Sequence, residues 1–326
     1  MNALLYGDPS RSLRWRTAVE LDGASEADDE VRAWRAQIDD SRDVRALLDR
    51  LATTLSPKEA GYLLCQVAYL GYRGPEVNDA VERIFATQQR DGSWPADDAR
   101  GAEGPRFVTM LTVVPLRGIA ASGFASDPRA ERAYEWLLSV RHLDGSWPAG
   151  PKGDLGGRGR PSQPEMEYRR LTRGEGCRSA TTGAVAALGL HPVRRRSEEA
   201  RIGVDHLLAR ETRDDAALGW EVSRLVGLER AMGRITFYVA FDLAFVLDLA
   251  SRCGVSPDDR RVRDLVDHLE TRRGRHGMWE HHAHPQLSRW LTFDLECSLR
   301  RLADGDWVGN EEAASFTPYK RGRRRY

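Results

Sequence analysis

Cysteine is scarce and scattered in this chain. Its 326 residues hold four, Cys65, Cys177, Cys253 and Cys297, with no C-x-x-C pair. That argues against a disulfide framework or a thiolate zinc finger and fits a reducing, cytoplasmic setting. Lysine is nearly missing: of 49 basic residues only Lys58, Lys152 and Lys320 are not arginine. A bias of that size reflects GC-rich coding as much as chemistry, so an arginine is not read as functional by itself. Net charge is absent too, since 49 acidic residues balance the basic ones. Nothing electrostatic then points to nucleic acid. Long apolar runs are also lacking. The most apolar stretch, 235–250, carries Asp242 and Asp248 and is too short and too charged to span a bilayer. The first twelve residues include Asp8 and no apolar core, so a signal peptide is not expected. Strand-like alternation is missing as well.

What is present is helical periodicity. With 41% hydrophobic residues and nine tryptophans, the chain has material for one large domain or two modest ones. Helices are expected over 43–54, 57–71, 75–89, 106–123, 128–140, 177–190, 197–210, 235–253, 257–272 and 288–303. Several open with Ser-Pro, Gly-Pro or Asp-Pro, and others end at Gly71, Gly123 or Gly254. Pro115 should kink or split 106–123. Two kinds of helix alternate. GYLLCQVAYLGY and TTGAVAALGL are apolar or small on most faces, whereas EVNDAVERIFATQQR and DDRRVRDLVDHLETRR are amphipathic. A helix apolar all round must be covered on all sides. Inner and outer helices in succession therefore describe pairs closed into a ring.

A repeat supports the ring. QQRDGSWP at 88–95 and VRHLDGSWP at 140–148 are nearly the same string, and LGWE at 218–221 and GRHGMWE at 274–280 are looser copies. Their tryptophans, Trp94, Trp147, Trp220 and Trp279, are 53, 73 and 59 residues apart. Self-similarity at such periods marks stacked helical units. The Asp-Gly turn should drop an indole onto the next inner helix, its N–H seeking a local partner.

The DGSW loops resemble the Gln-Trp (QW) repeats of squalene and oxidosqualene cyclases and of protein prenyltransferase β subunits. YGDPSRSLRWRTAVEL at 6–21, SPK at 56–58, Phe241-Asp242-Leu243 and SRW at 288–290 are similar to small bacterial squalene-cyclase-like proteins. The resemblance spans roughly residues 7–303. It implies an all-α (α/α) toroid of five to six helix pairs, a 1–55 helical arm, a 56–305 toroid interrupted by an insertion at 150–176, and a basic tail at 306–326. It implies acid-initiated cyclisation of an isoprenoid or polyene in a central apolar cavity. Yet the Asp-x-Asp-Asp acid of class II terpene cyclases occurs nowhere here.

Asp242 and Asp294 are the candidate acids, each after a phenylalanine and each placed beyond the first turn of an inner helix. A carboxyl among apolar residues either pairs with arginine or shifts upward into a usable acid. Tyr238, Phe241, Phe245 and Trp290 would line the cavity, since π-faces stabilise positive charge. Lys58, Arg106, Arg178, Arg234 and Arg289 fall at the openings of inner helices. They would ring one mouth and hold an anionic head group, although sampling from so many arginines gives the same pattern. Glu175, Cys177 and His281 offer a weaker zinc set, as prenyltransferases use. The histidines around His281 read equally as a capping loop, and Asp39-Asp40-Ser41-Arg42-Asp43 spans a helix break. No cofactor is expected, with magnesium only for a diphosphate substrate. The expected partner is a hydrophobic small molecule, with or without a diphosphate. The alternative is a non-catalytic toroid holding an apolar or anionic ligand or a peptide.

Overall fold

The structure, a computed structural model, describes residues 2–94, 109–149, 171, 175–209, 217–228, 241–274 and 276–304. Arg106, Arg234, Tyr238, most of the 150–176 insertion and the 306–326 tail lie outside them. The described residues form helices α1 (Asn2–Tyr6), α2 (Arg11–Arg16), α3 (Asp29–Asp39), α4 (Arg42–Thr53), α5 (Pro57–Tyr69), α6 (Pro75–Ala86) and α7 (Thr109–Ile119). These are followed by α8 (Pro128–Ser139), α9 (Arg178–Leu188), α10 (Glu198–Leu208), α11 (Trp220–Leu225), α12 (Leu243–Arg252), α13 (Arg260–Thr271) and α14 (Ser288–Ala303). Ser41, Ser56 and Ser197 cap α4, α5 and α10, each accepting a backbone N–H from the first turn. Proline at the first position of α5, α6 and α8 costs no hydrogen bond, because that N–H has no intrahelical acceptor.

Helices α5, α7, α9, α12 and α14 form the inner layer, with α4, α6, α8, α10 and α13 outside. Every residue of α9 is buried, whereas α13 buries only Val262, Leu265 and Leu269. Neighbouring inner helices pack as α5 on α7, α7 on α9 and α12 on α14, while α10 bridges α9 to α12. Helix α7 runs unbroken through Pro115 rather than splitting there. Gly61 of α5 lies against this point: a Cβ there would come within 2.6 Å of the Val114 carbonyl and 2.7 Å of Pro115 Cα, so the two backbones touch.

The arm closes the ring. Both α1 and the π-helical turn Thr17–Leu21 pack on α14. Tyr69 at the end of α5 meets α14 directly, 5.2 Å between ring centroids from Trp290 and hydrogen-bonded to Asp294.

Three copies of the repeat make one latch. The indole N–H of Trp94, Trp147 and Trp279 donates to the carbonyl ten residues back, Ile84, Leu137 and Leu269, at 2.8–2.9 Å. Their backbone N–H groups donate to a threonine hydroxyl on the next inner helix: Thr112, Thr181 and Thr292 at 3.0–3.1 Å. In each, the glycine two residues earlier (Gly92, Gly145, Gly277) has a positive φ. The LGWE copy breaks this rule. Gly219 has the positive φ, so Glu221 and not Trp220 occupies the tryptophan position. Its backbone N–H donates to Asp242 where the others meet threonine, at 2.7 Å. Trp220 instead lies half-buried with its ring 5.9 Å from that of His282.

The two kinds of tryptophan should therefore differ in weight. Trp147→Ala should lower unfolding free energy by about 3–5 kcal/mol, as for a large fully buried side chain, and Trp220→Ala by about 1 kcal/mol or less. Urea unfolding followed by circular dichroism checks both.

Candidate functional site

Because α11 carries a glutamate where the other repeats carry an indole, it reaches inward rather than latching its own wall. It packs against α5 across the ring, with the Gln66 side-chain amide donating to the Arg224 carbonyl at 2.6 Å. Glu221 is enclosed between Arg117 of α7, at 2.7 Å, and Arg224 of its own helix. Burial pushes the Glu221 carboxyl up, but the two guanidinium groups outweigh it and hold it below the usual range. The centre is thus partly filled by a buried ion triad.

Beside this triad a cavity of about 170 Å³ remains. Its surface is mostly apolar, as expected, with Leu190, Leu225, Leu249, Phe245 and several alanines, but charged groups break into it: Arg16, Arg117, Arg252, Glu221, Asp242, Asp248 and Asp294. The two oxygens of Asp248 share the single Nε–H of Arg252, at 2.8 and 2.9 Å, and one of them accepts from Arg301 at 2.5 Å. Burial raises its pKa, yet these arginines win and keep it ionised.

Asp294 differs. It lies in mid-α14, and its Oδ2 accepts the Tyr69 hydroxyl at 2.9 Å. The closest cation, Arg16 Nη1, stops 4.0 Å from Oδ1, at the limit of an ion pair. Burial therefore dominates, with the negative charge of Asp248 adding to it, and the carboxyl is pushed up to about 7. A good share of it carries a proton at neutral pH.

Asp242 needs correcting. It is not inside a helix but is the N-cap of α12. Its carboxylate accepts the backbone N–H groups of Gly219, Glu221 and Ala244 at 2.7–3.1 Å. Burial pushes its pKa up against these donors, but its oxygens are engaged in bracing α11 to α12. Asp242 braces two helices, whereas Asp294 has a single hydrogen-bond donor at its carboxyl among the described residues.

Of the arginines expected at a mouth, Arg178 and Arg289 lie among the described residues. Arg178 is buried with its guanidinium 5.8 Å from the centroid of Phe241, and Arg289 is half-exposed, 4.0 Å from Asp8. Neither lines the cavity, which draws Arg16 from the arm and Arg117 and Arg252 from inner helices. Phe245 does line it; Phe241 and Trp290 are buried outside the lining. The zinc set does not assemble. His281 Nδ1 accepts the N–H groups of Ala283 and His284, leaving Nε2 as the donor toward the Gly219 carbonyl at 2.7 Å. Cys177 is the buried N-cap of α9, and the Glu175 backbone N–H donates to Asp144. Among the described residues no group of three His, Cys, Asp or Glu could hold a metal.

Arg16 and Glu20 lie in the 6–21 string and Glu221 in LGWE, but none of these, nor Tyr69 or Arg117, was expected at the site from sequence. The signal for Glu221 was the offset from the left-handed glycine. It is two residues in the three tryptophan copies, and counting two from Gly219 gives Glu221.

Comparison with known proteins agrees on architecture. No family model matches the chain, and no curated protein matches it. Among solved structures, a variant of UGL with dGlcA-Glc-Rha-Glc is 14% identical, covers 90% of this chain and 85% of its own, and superposes with a TM-score of 0.51. The type II terpene cyclase MstE from Scytonema is 13% identical over 83% of this chain and 99% of its own, at a TM-score of 0.33. A variant of MstE with geranylgeranyl dihydroxybenzoate gives 0.32, at 13% identity over 83% and 98%. The protein is an all-α (α/α) toroid. No helix among the described residues is long and apolar enough to cross a membrane.

The raised Asp294 pKa makes stability depend on pH. The unfolded chain releases this proton near the ordinary aspartate value of 3.8 and the folded chain near 7, so between them the folded state binds more protons. Its stabilising contribution is full below about pH 4 and is lost as pH rises through 7. Asp294→Asn should accordingly melt above the parent by a few degrees at pH 8 and by clearly less at pH 5, as read by differential scanning calorimetry.

Proposed function

We propose that this terpene-cyclase-like toroid is an acid-catalysing enzyme. In this reading Asp294 protonates an electron-rich double bond of a small anionic guest, and Arg117 and Arg252 face the guest's anionic group. The single observation that carries the reading is a carboxylic acid able to stay protonated at neutral pH on the wall of an internal cavity. Tyr69 would orient the acid, donating to Oδ2 so that Oδ1 bears the proton.

Cavity size narrows the guest. A cavity of about 150 Å³ takes benzene, so 170 Å³ seats one or two isoprene units rather than a whole long polyene. The aromatic faces narrow the chemistry. Arg16 lies over Tyr69 at 4.4 Å and Arg117 over Phe245 at 5.1 Å, so guanidinium cations already occupy the faces that would stabilise a migrating carbocation. A single protonation followed by loss of a neighbouring proton, or capture by water, suits this site better than a cyclisation cascade. The expected isoprenoid substrate is therefore a short prenyl phosphate or diphosphate. With Asp248 and Glu221 engaged by arginine, any magnesium would arrive on the diphosphate rather than on the protein.

The charged groups in the lining favour a second reading, a hydroxylated and acidic guest such as the end of a saccharide. The UGL structure contains one, dGlcA-Glc-Rha-Glc.

Purified protein should be incubated with dimethylallyl, geranyl, farnesyl and geranylgeranyl diphosphate, squalene and dGlcA-Glc-Rha-Glc, and products read by mass spectrometry. Turnover of the two shortest diphosphates is expected. Asp294→Asn should lower kcat at least about 100-fold, the usual scale for losing a general acid. In the parent the rate should fall as pH rises through 7. Turnover of the saccharide alone selects the second reading. Saturable binding without product leaves a non-catalytic toroid, and unchanged turnover in Asp294→Asn removes the acid assignment.

A further inference from the structure

The site has an unusual neighbour in Arg16, the last residue of α2. Its guanidinium is sandwiched between the rings of Tyr69 and Phe293, at 4.4 and 4.5 Å from their centroids. Two of its nitrogens, Nε and Nη2, are clasped by the two oxygens of Glu20 at 2.6 and 3.1 Å. Glu20 lies one turn along, in the π-helical turn Thr17–Leu21 that leads off α2. The remaining Nη1 donates to the Tyr69 carbonyl at 3.4 Å and stands 4.0 Å from Asp294 Oδ1. A guanidinium makes its strongest pair as a fork onto one carboxylate. Two carboxylates lie within reach of this one, and the arm supplies the one that wins.

Building on the proposed role of Asp294 as a proton donor, we propose that Glu20 is a positioning residue: by occupying the fork of Arg16 it keeps that cation from closing on Asp294, which remains a protonated acid. The groups facing Asp294 are Tyr69 from α5, Arg16 and Glu20 from the arm, Asp248 from α12 with its clasping arginines Arg252 and Arg301, and Cys297 on its own helix. Of these only Arg16 offers Asp294 a new ion pair, because Asp248 engages both other arginines. The arm is then more than a cover: without its Arg16–Glu20 pair the acid would face a different field.

The test is a carboxyl ¹³C titration of the full chain, comparing the parent with Glu20→Gln and Glu20→Asp. In Glu20→Gln the freed guanidinium should swing onto Asp294 and move its midpoint from about 7 to about 6 or below. Glu20→Asp, which keeps a carboxylate, should recover most of the difference. In an Arg16→Gln background the further change Glu20→Gln should move the midpoint little, because Glu20 acts through Arg16. A midpoint unmoved in Glu20→Gln overturns the proposal, as does an equal shift with and without Arg16, which would mean direct repulsion instead. Should the Arg16→Gln variant not fold, Arg16→Lys serves as the background instead, since an ammonium cannot make the fork onto Glu20. The titration needs no turnover. A shifted midpoint in a chain that converts none of the tested guests would sustain the Glu20 role and sink the enzymatic reading, whereas a flat response in an active enzyme does the reverse.

Discussion

Of the four walls of this toroid that carry the repeat, three are fastened by the same pair of hydrogen bonds: an indole N–H to the carbonyl ten residues back, and the neighbouring backbone N–H to a threonine on the next inner helix. The indole fills the gap between adjacent units with apolar area, and neither polar group is left without a partner. At the remaining wall Glu221 replaces the indole and Asp242 replaces the threonine. The backbone geometry survives while the apolar filling is lost. What takes its place is charge, and charge inside a protein must be matched.

That one exchange accounts for the character of the centre. Glu221 is matched by Arg117 and Arg224, and Asp248 by Arg252 and Arg301, so the interior holds a set of matched ion pairs within its apolar walls. Replacing such pairs by packed hydrophobic residues is often neutral or stabilising, so they are better explained by what they do than by what they stabilise. Within the set Asp294 stands apart. Among the described residues its carboxyl accepts a hydrogen bond from a phenol alone, and the nearest cation is held elsewhere. An unevenly matched carboxyl on a cavity wall is what proton transfer needs.

Much of the architecture was legible before any coordinates. The alternation of wholly apolar with amphipathic helices, and the doubled DGSW string, are long-range regularities that a ring of helix pairs cannot do without. Trp94, Trp147 and Trp279 appear where the repeat places them. The site was less legible, for a physical reason: its members are brought together by closure of the ring. Arg16 and Asp294 are neighbours only because the first and last inner helices meet through the arm, and no local spacing records that. Asp294 was readable as a carboxyl out of place in an apolar helix. Asp242 looked the same and proved to be a cap, because a helix start following an apolar stretch resembles a helix interior. Trp220 misled in the opposite way, since an indole next to a left-handed glycine resembles the repeat while sitting one residue out of register.

The account rests on Asp294 being a neutral acid inside the folded ring, and the most direct measurement is the titration of its own carboxyl carbon in the unmodified protein by ¹³C NMR. A midpoint near 7 is the result the structure calls for. A midpoint at or below about 4, where an ordinary aspartate titrates, would mean that Asp294 is ionised at neutral pH, and the acid-catalysis reading would fall with it.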